Sequence, residues 1–167
     1  MKKTLARFEA PDSLVRVALT FIRNWLEKNR RDGAVCPACE QVVKVYRRKL
    51  NASMGRALIA MHQGTYMGEF VHLFRFLGDR GVPHSDAALL RFWGLLEEQD
   101  GEREDGNPRA GFYTITPRGR LFAQGKIAMR SHGFFHNGAC LHLDYDKLVG
   151  IRAVLGSKFD YDELMAA

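Results

Sequence analysis

The sequence lacks the features that mark membrane proteins, secreted proteins and disulfide-stabilised proteins. Its longest apolar runs are far too short to cross a bilayer. Its start, MKKTLARFEAPD, has a basic head but no apolar stretch of the kind found in secretory signals. Its three cysteines are an odd number, and structural disulfides are rare in a reducing compartment. We therefore expect a cytoplasmic protein that does not associate with membranes.

The chain also lacks the motifs that indicate common catalytic sites. It contains no glycine-rich phosphate loop, no H-E-x-x-H motif and no nucleophile elbow. His132 and His136 lie in the loop-like stretch SHGFFHNG, where a single histidine is more often hydrogen-bonded or exposed than catalytic. The Phe and Trp residues between positions 70 and 96 recur at helical spacing, which is typical of a core. We expect no enzymatic activity and assign no catalytic residue.

Charge is unevenly distributed along the chain. The 167 residues, of which 46% are hydrophobic, are sufficient for one domain with extensions, and the formal net charge is +6. The segment 41–62 contains five basic residues and no Asp or Glu, whereas EEQDGERED, residues 97–105, contains six acids and one Arg. The basic segment favours a polyanion such as nucleic acid, and the acidic segment repels one.

Apolar periodicity and capping residues predict a mainly helical chain. Asp12 and Ser13 can cap a first helix, Gly33 follows its end, and Ser85 and Thr116 can cap later helices. The predicted helices cover residues 13–31, 41–62, 67–78, 86–98 and 117–122, with a further helix within 146–156. The predicted strands are 112–116 (FYTIT) and, around a turn at HNGA, 126–130 and 139–144; the tail 158–165 is docked or forms a last helical turn.

The segment from residue 40 to 125 resembles a winged-helix DNA-binding domain. A Leu- and Trp-rich helix ends in GLLEE, an acidic loop follows, and GFYTITPRGRLFAQG resembles the returning strand of a wing. The residues that carry the resemblance are Leu95, Leu96, Glu97, Tyr113, Ile115, Thr116, Gly119 and Phe122. It implies a mainly α winged helix-turn-helix fold with a β-hairpin wing, over 40–125. An N-terminal helix and cysteine knuckle (1–39) would precede this core, and a small extension (126–167) would follow it.

The resemblance implies DNA binding, and the charge pattern indicates where. Winged-helix domains place the helix before the wing in the major groove. Here that helix, 86–98, has few basic residues, so the basic helix 41–62 is the better phosphate-binding candidate; the alternative is a solvated helix face. The predicted nucleic-acid contacts are Lys44, Arg47, Arg48, Lys49 and Arg56, with Arg109, Arg118 and Arg120 as a second basic group. The combination of CPAC, VYRRKLN and the wing also resembles uncharacterised phage and prophage proteins, and winged-helix proteins often form homodimers.

The cysteine pair in GAVCPACEQ has three interpretations. Cys36 and Cys39 have the spacing of a zinc knuckle, in which a tight turn presents two thiolates to one metal. A structural zinc site needs two more ligands, and Cys140 with His142 is the set we predict; His62, His72, His132 and His136 are further candidates. A redox couple of the glutaredoxin type would need a preceding apolar strand. The third interpretation is two reduced cysteines in a packed turn.

A second functional hypothesis uses the acidic regions. A protein-interaction module, for example a phage-encoded inhibitor of a host or defence protein, would dock a basic partner on residues 97–105 or on the tail FDYDELM. Reversing the charge of Arg47 and Arg48 discriminates between the hypotheses, because it should abolish DNA binding and leave a protein partner bound.

Overall fold

The chain folds as a mixed α/β protein in a computed structural model that describes residues 12–101 and 111–166. Helices make up 45% of the described residues and strands 21%, so the prediction of a mainly α fold was wrong. The chain divides between Tyr46 and Arg47 into two compact units, which we call unit 1 and unit 2.

The elements are short, and the strands form small sheets. The helices are α1 (Asp12–Asn29), α2 (Ala52–Gly64), α3 (Leu73–Gly78), α4 (Pro117–Ala123), α5 (Ile151–Leu155) and α6 (Tyr161–Ala166), with 3-10 helices at Ala87–Trp93 and Gly156–Lys158. The strands are β1 (Ala34–Val35), β2 (Val42–Val43), β3 (Tyr46–Lys49), β4 (Val71–His72), β5 (Leu96–Glu98), β6 (Phe112–Ile115), β7 (Met129–Arg130), β8 (His132–His136), β9 (Ala139–Leu143) and β10 (Leu148–Val149).

Unit 1 contains one long helix and one small hairpin. The first predicted helix is confirmed as α1, although none of its described residues is buried. β1 and β2 pair antiparallel, with Ala34 opposite Val43 and Val35 opposite Val42. The CPAC segment is the turn of this hairpin, and β3 begins at the last residue of unit 1.

The predicted helix over 41–62 is replaced by β2, β3 and α2. Val42, Val43 and Tyr46 are β-branched or aromatic residues of the kind that pack well on a pleated strand. The helix begins only after Asn51, whose side chain accepts a hydrogen bond of 3.0 Å from the Met54 amide. The basic run Arg47–Lys49 therefore lies on a strand, and the basic helix predicted from the charge pattern does not exist.

The core of unit 2 surrounds α2. Six α2 residues are buried, namely Met54, Gly55, Ala57, Leu58, Ile59 and Met61. Gly55 allows α5 to approach closely, because a Cβ at this position would lie 3.2 Å from side-chain atoms of Val154 and Leu155. Trp93 is buried beside them, and its indole N–H donates to the Arg130 carbonyl at 2.7 Å. This core holds together elements from both ends of unit 2.

The region that resembles a wing is a three-stranded antiparallel sheet in the order β4-β6-β5. The predicted strand at 112–116 is confirmed as β6, and the helix after it as α4, whose N-cap Thr116 accepts from the Gly119 amide at 2.9 Å. The predicted helix 86–98 is a 3-10 helix followed by β5, and the predicted helix 67–78 is β4 followed by α3. Gly94, at φ 67°, ends the 3-10 helix because this left-handed conformation suits glycine.

A second three-stranded sheet, in the order β3-β8-β9, carries the basic strand at its edge. The predicted HNGA turn is confirmed between β8 and β9, where Asn137 and Gly138 have φ values of 48° and 75°. Two central residues at positive φ are typical of an Asn-Gly hairpin turn. The predicted strand 126–130 is reduced to β7, which pairs with β10 in a separate small sheet.

Candidate functional site

The edge strand β3 presents consecutive cationic side chains, all of them exposed. Successive strand residues point to opposite faces of a sheet, and the ion pairs follow this alternation. Arg47 contacts Asp144 at 2.9 Å, and Arg48 approaches Asp86 at 3.7 Å. Because the two arginine side chains remain 54% and 52% exposed, each can still donate hydrogen bonds to a ligand.

Aromatic rings lie beside Arg47 on the same sheet. The guanidinium carbon of Arg47 is 6.0 Å from the centroid of the Phe134 ring. Phe134 in turn stacks on His142, with ring centroids 4.6 Å apart and planes inclined by 18°. Phe134 is half-buried and His142 is exposed, so the His142 ring is the open member of the pair, while Arg47 lies beside the Phe134 ring.

A cleft opens beside Lys49, at the start of α2. Its volume is about 410 Å³. The ionisable side chains among its described lining residues are all basic: Lys49, His132, Lys147 and Lys158. The first backbone amides of a helix attract anions, and Asn51 and Ala52 at the start of α2 belong to the lining. The cleft thus combines exposed ammonium groups with the positive end of a helix.

The electrostatics of this region follow from the crowding of positive charge. Burial lowers the pKa of His132, and the nearby charges of Arg47, Lys147 and Lys49 lower it further, against the opposing effect of Asp144. The pKa of Asp144 is lowered, chiefly by its hydrogen bond from Arg47 and then by the Asp146 amide. At neutral pH the region holds two paired carboxylates, Asp86 and Asp144, together with a neutral imidazole and an excess of cations.

Within the described part of unit 2, the other predicted nucleic-acid residues do not line this cleft. Arg56 lies 4.7 Å from the centroid of the Phe159 ring, and Arg120 donates to the carbonyls of His62 and Thr65 at 3.1 and 2.8 Å. These two arginines therefore brace the packing around α2. Arg118 is exposed on the first turn of α4, and Lys44 is exposed in unit 1. Arg109 lies outside the described residues, as do residues 102–105 of the acidic segment.

Sequence reasoning missed the part of the surface that comes from distant segments. Lys147 follows two aspartates, and Lys158 is isolated, so neither belongs to a basic run. Phe134 lies in SHGFFHNG, which we interpreted as a loop. The burial of β8 alternates residue by residue, but its sequence HGFFH does not alternate between polar and apolar residues, so the usual strand signal is absent from this stretch of sequence.

The cysteine pair occupies a tight turn between β1 and β2. The Cys36 amide donates to the Gln41 carbonyl at 2.9 Å, and the Glu40 amide donates to the Cys36 carbonyl at 2.9 Å. Glu40 has φ 58°, a left-handed conformation that closes the turn. The amides of Ala38 and Cys39 donate to the Cys36 sulfur, and these bonds lower the pKa of its thiol. Cys36 is buried and Cys39 is exposed.

The other two predicted zinc ligands belong to unit 2. Cys140 lies on β9, where its thiol donates to the His142 carbonyl at 3.5 Å and where burial raises its pKa. Within residues 12–101 and 111–166, no three His, Cys, Asp or Glu side chains lie where they could hold one metal ion. Zinc bound by Cys36, Cys39, Cys140 and His142 therefore stays a prediction.

Comparison with family models, with curated proteins and with solved structures returned no match. Among the described residues, no helix combines the length and the apolar character needed to span a membrane. The function must therefore be argued from the surfaces of the molecule themselves.

Proposed function

We propose that this protein is a non-enzymatic DNA-binding protein that holds a single strand on unit 2. The binding surface consists of residues 47–49 of β3 and the adjoining cleft, and we call it the basic surface. The main observation behind the proposal is that Lys49 belongs both to the exposed basic strand and to the cleft. All ionisable side chains among the described residues that line this cleft are basic. Neutralised phosphates supply most of the affinity of such surfaces.

Two features favour a single strand over a duplex. Reading duplex DNA in the major groove normally requires a helix or a two-stranded ribbon that enters the groove, and the basic residues lie instead on the edge of a sheet. The stacked Phe134–His142 pair beside Arg47 offers an open ring, and unpaired bases stack on aromatic side chains. Bases in a duplex are already stacked on each other and cannot use this ring.

The test is a salt series on the full-length protein. Binding of a fluorescent single-stranded DNA oligonucleotide is measured by anisotropy, for the wild type and for a Lys49→Gln/Lys147→Gln variant. For single strands the logarithm of affinity falls with the logarithm of salt with a slope of about −0.7 per phosphate contact. Loss of two contacts should therefore weaken binding and make this slope less negative by about 1.4.

The matched control is Lys126→Gln, because Lys126 is exposed and does not line the cleft. This variant should retain the wild-type affinity and slope. A duplex of the same sequence should bind more weakly than the single strand. Equal losses in the cleft and control variants, or no binding of either DNA at low salt, would overturn the proposal.

The protein-interaction hypothesis has less support among the described residues. The acidic tail is not free, because Arg152 makes two hydrogen bonds of 2.7 and 2.9 Å to the Asp162 carboxylate. The tail forms α6. The Tyr161 hydroxyl donates a hydrogen bond to the Ala123 carbonyl, and the Gln63 side-chain amide donates to the Leu164 carbonyl. Glu98 is engaged by Arg91 at 3.5 Å. Docking of a basic partner on residues 97–105 stays a prediction, since residues 102–105 lie outside the described residues.

A further inference from the structure

The β1–β2 hairpin holds two thiols in a turn of the kind that binds zinc. Two backbone hydrogen bonds close this turn, one from the Cys36 amide to the Gln41 carbonyl and one from the Glu40 amide to the Cys36 carbonyl. The amides of Ala38 and Cys39 point at the Cys36 sulfur. Hydrogen bonds to a metal-bound thiolate stabilise its charge and fix its orientation. The turn thus supplies half of a structural zinc site, together with the bonds that support one of its ligands.

The described residues of unit 1 do not supply the other half of the site. Structural zinc takes four ligands in a tetrahedral arrangement. Across the described ranges 12–101 and 111–166, no third His, Cys, Asp or Glu joins the two thiols in a metal-sized cluster. The site is therefore incomplete within one described chain.

The predicted completion by unit 2 is disfavoured by the present contacts of its residues. Cys140 is a thiol that donates to a backbone carbonyl at 3.5 Å, and it is half-buried on β9. The His142 ring stacks on Phe134 with an angle of 18° between the planes. Both residues already have a role in the β3-β8-β9 sheet, and metal binding would disrupt that role.

We propose that Cys36 and Cys39 bind one zinc ion together with the same two cysteines of a second copy of this chain. A two-fold axis through the metal gives four thiolates from two identical hairpins, which is the ligand number that zinc requires. Cys39 is exposed at the tip of the turn and is accessible to a second molecule. The inference concerns unit 1 alone and does not rest on the nucleic-acid function of unit 2.

The surface of α1 supports a second copy as the partner. Leu14, Val17 and Phe21 are spaced along one side of this helix and are 65%, 68% and 70% exposed. Apolar side chains grouped in this way mark an interaction surface rather than a solvated one. Two copies joined at the hairpins bring two such helices into the same assembly, where their apolar faces can cover each other.

The test combines metal content with molecular mass. The full-length protein, purified with zinc, is analysed by elemental mass spectrometry and by analytical ultracentrifugation, before and after treatment with a chelator. We expect one zinc ion per two chains, a dimer with zinc and a monomer after chelation. In Cys39→Ser the zinc and the dimer should both be lost, and in the control Cys140→Ser both should be retained. Cobalt in place of zinc should give the charge-transfer absorption of four thiolates.

Three results would overturn the inference. One zinc per chain in a monomer, lost in Cys140→Ser or His142→Ala, would assign the site to a single chain. A protein without bound zinc would remove the metal altogether. A dimer that persists unchanged in chelator and in Cys39→Ser would show that the copies associate without it. Because Cys39 is exposed, its replacement by Ser should not unfold the chain, and circular dichroism of the variant checks this.

Discussion

Unit 1 and unit 2 differ in what their main helices bury. The 13-residue helix α2 buries six residues at the centre of unit 2, whereas the 18-residue helix α1 buries none of its described residues. Both helices follow an apolar period in the sequence. Amphipathic spacing therefore predicts that a segment is helical, but it does not predict whether the apolar side of that helix is buried. Units below about 40 residues usually need a metal, a disulfide or a partner for stability, and unit 1 is close to this size.

The same contrast extends to the candidate sites. In unit 2 the basic surface is built from segments far apart in the chain, held by a large apolar core. In unit 1 the cysteine turn is local, and its stability depends on backbone hydrogen bonds within a few residues. A site of the first kind exists only when unit 2 is folded. A site of the second kind can form locally, and under the zinc proposal metal binding would help to hold its own unit together.

The largest expected effect compares two leucines. Leu58 on α2 is fully buried and Leu14 on α1 is 65% exposed. Leu58→Ala should lower the free energy of unfolding of unit 2 by about 2–5 kcal/mol, because it leaves a cavity in the core. Leu14→Ala in the presence of chelator should change it by less than about 0.5 kcal/mol. Urea unfolding followed by circular dichroism measures both, and similar losses would contradict the assignment of the core to unit 2.

A smaller effect tests how closely unit 2 is packed. A side chain at Gly119 would overlap the Leu95 carbonyl oxygen, and its Cβ would lie 2.9 Å from Ile115. Because backbone must shift to relieve this overlap, Gly119→Ala should cost about 1–3 kcal/mol of the free energy of unfolding. Gly78 has no atom within 4 Å of such a Cβ, so Gly78→Ala is the control and should be neutral or slightly stabilising. If thermal unfolding gave the two variants the same midpoint, the close approach of α4 to Leu95 would be wrong.

The smallest expected effect is the pH dependence at the rim of the basic surface. Arg47 lowers the pKa of Asp144 in the folded protein, so this carboxylate stabilises the fold at pH values above its unfolded pKa of about 3.9. The contribution should disappear as the pH falls through the lowered folded pKa. Asp144→Asn should therefore be less stable than the wild type at pH 7 and approach it in acid.

The control for this pH series is Asp146→Asn, since Asp146 is exposed and Arg47 pairs with Asp144. The difference between wild type and Asp144→Asn is measured by urea unfolding at several pH values. A difference that stayed constant from neutral pH to pH 2 would show that the ion pair does not couple to stability.

Local signals predicted local elements well. The apolar period of α1, the Thr116–Pro117 start of α4 and the Asn-Gly turn at 137–138 depend on neighbouring residues only, and the structure confirms all three. The helix predicted over 41–62 was wrong before residue 52, because the periodicity there could be satisfied either as a helix or as strands. Pairing of β3 with β8, some 85 positions away in the sequence, decided in favour of strands, and no local window contains that information.

Two short segments of the candidate sites can be recognised in the amino-acid sequence, namely the CPAC turn and a basic run without acidic residues. The surfaces to which these segments contribute are defined by the folded chain. It placed Arg47–Lys49 on a sheet edge, brought Lys147 and Lys158 to the same cleft, and set Phe134 against His142. The difference arises because the interactions involve residues at different separations along the chain. Capping and turn formation involve residues three or four positions apart. Strand pairing and the clustering of charges involve distant segments, which come together only when the core forms.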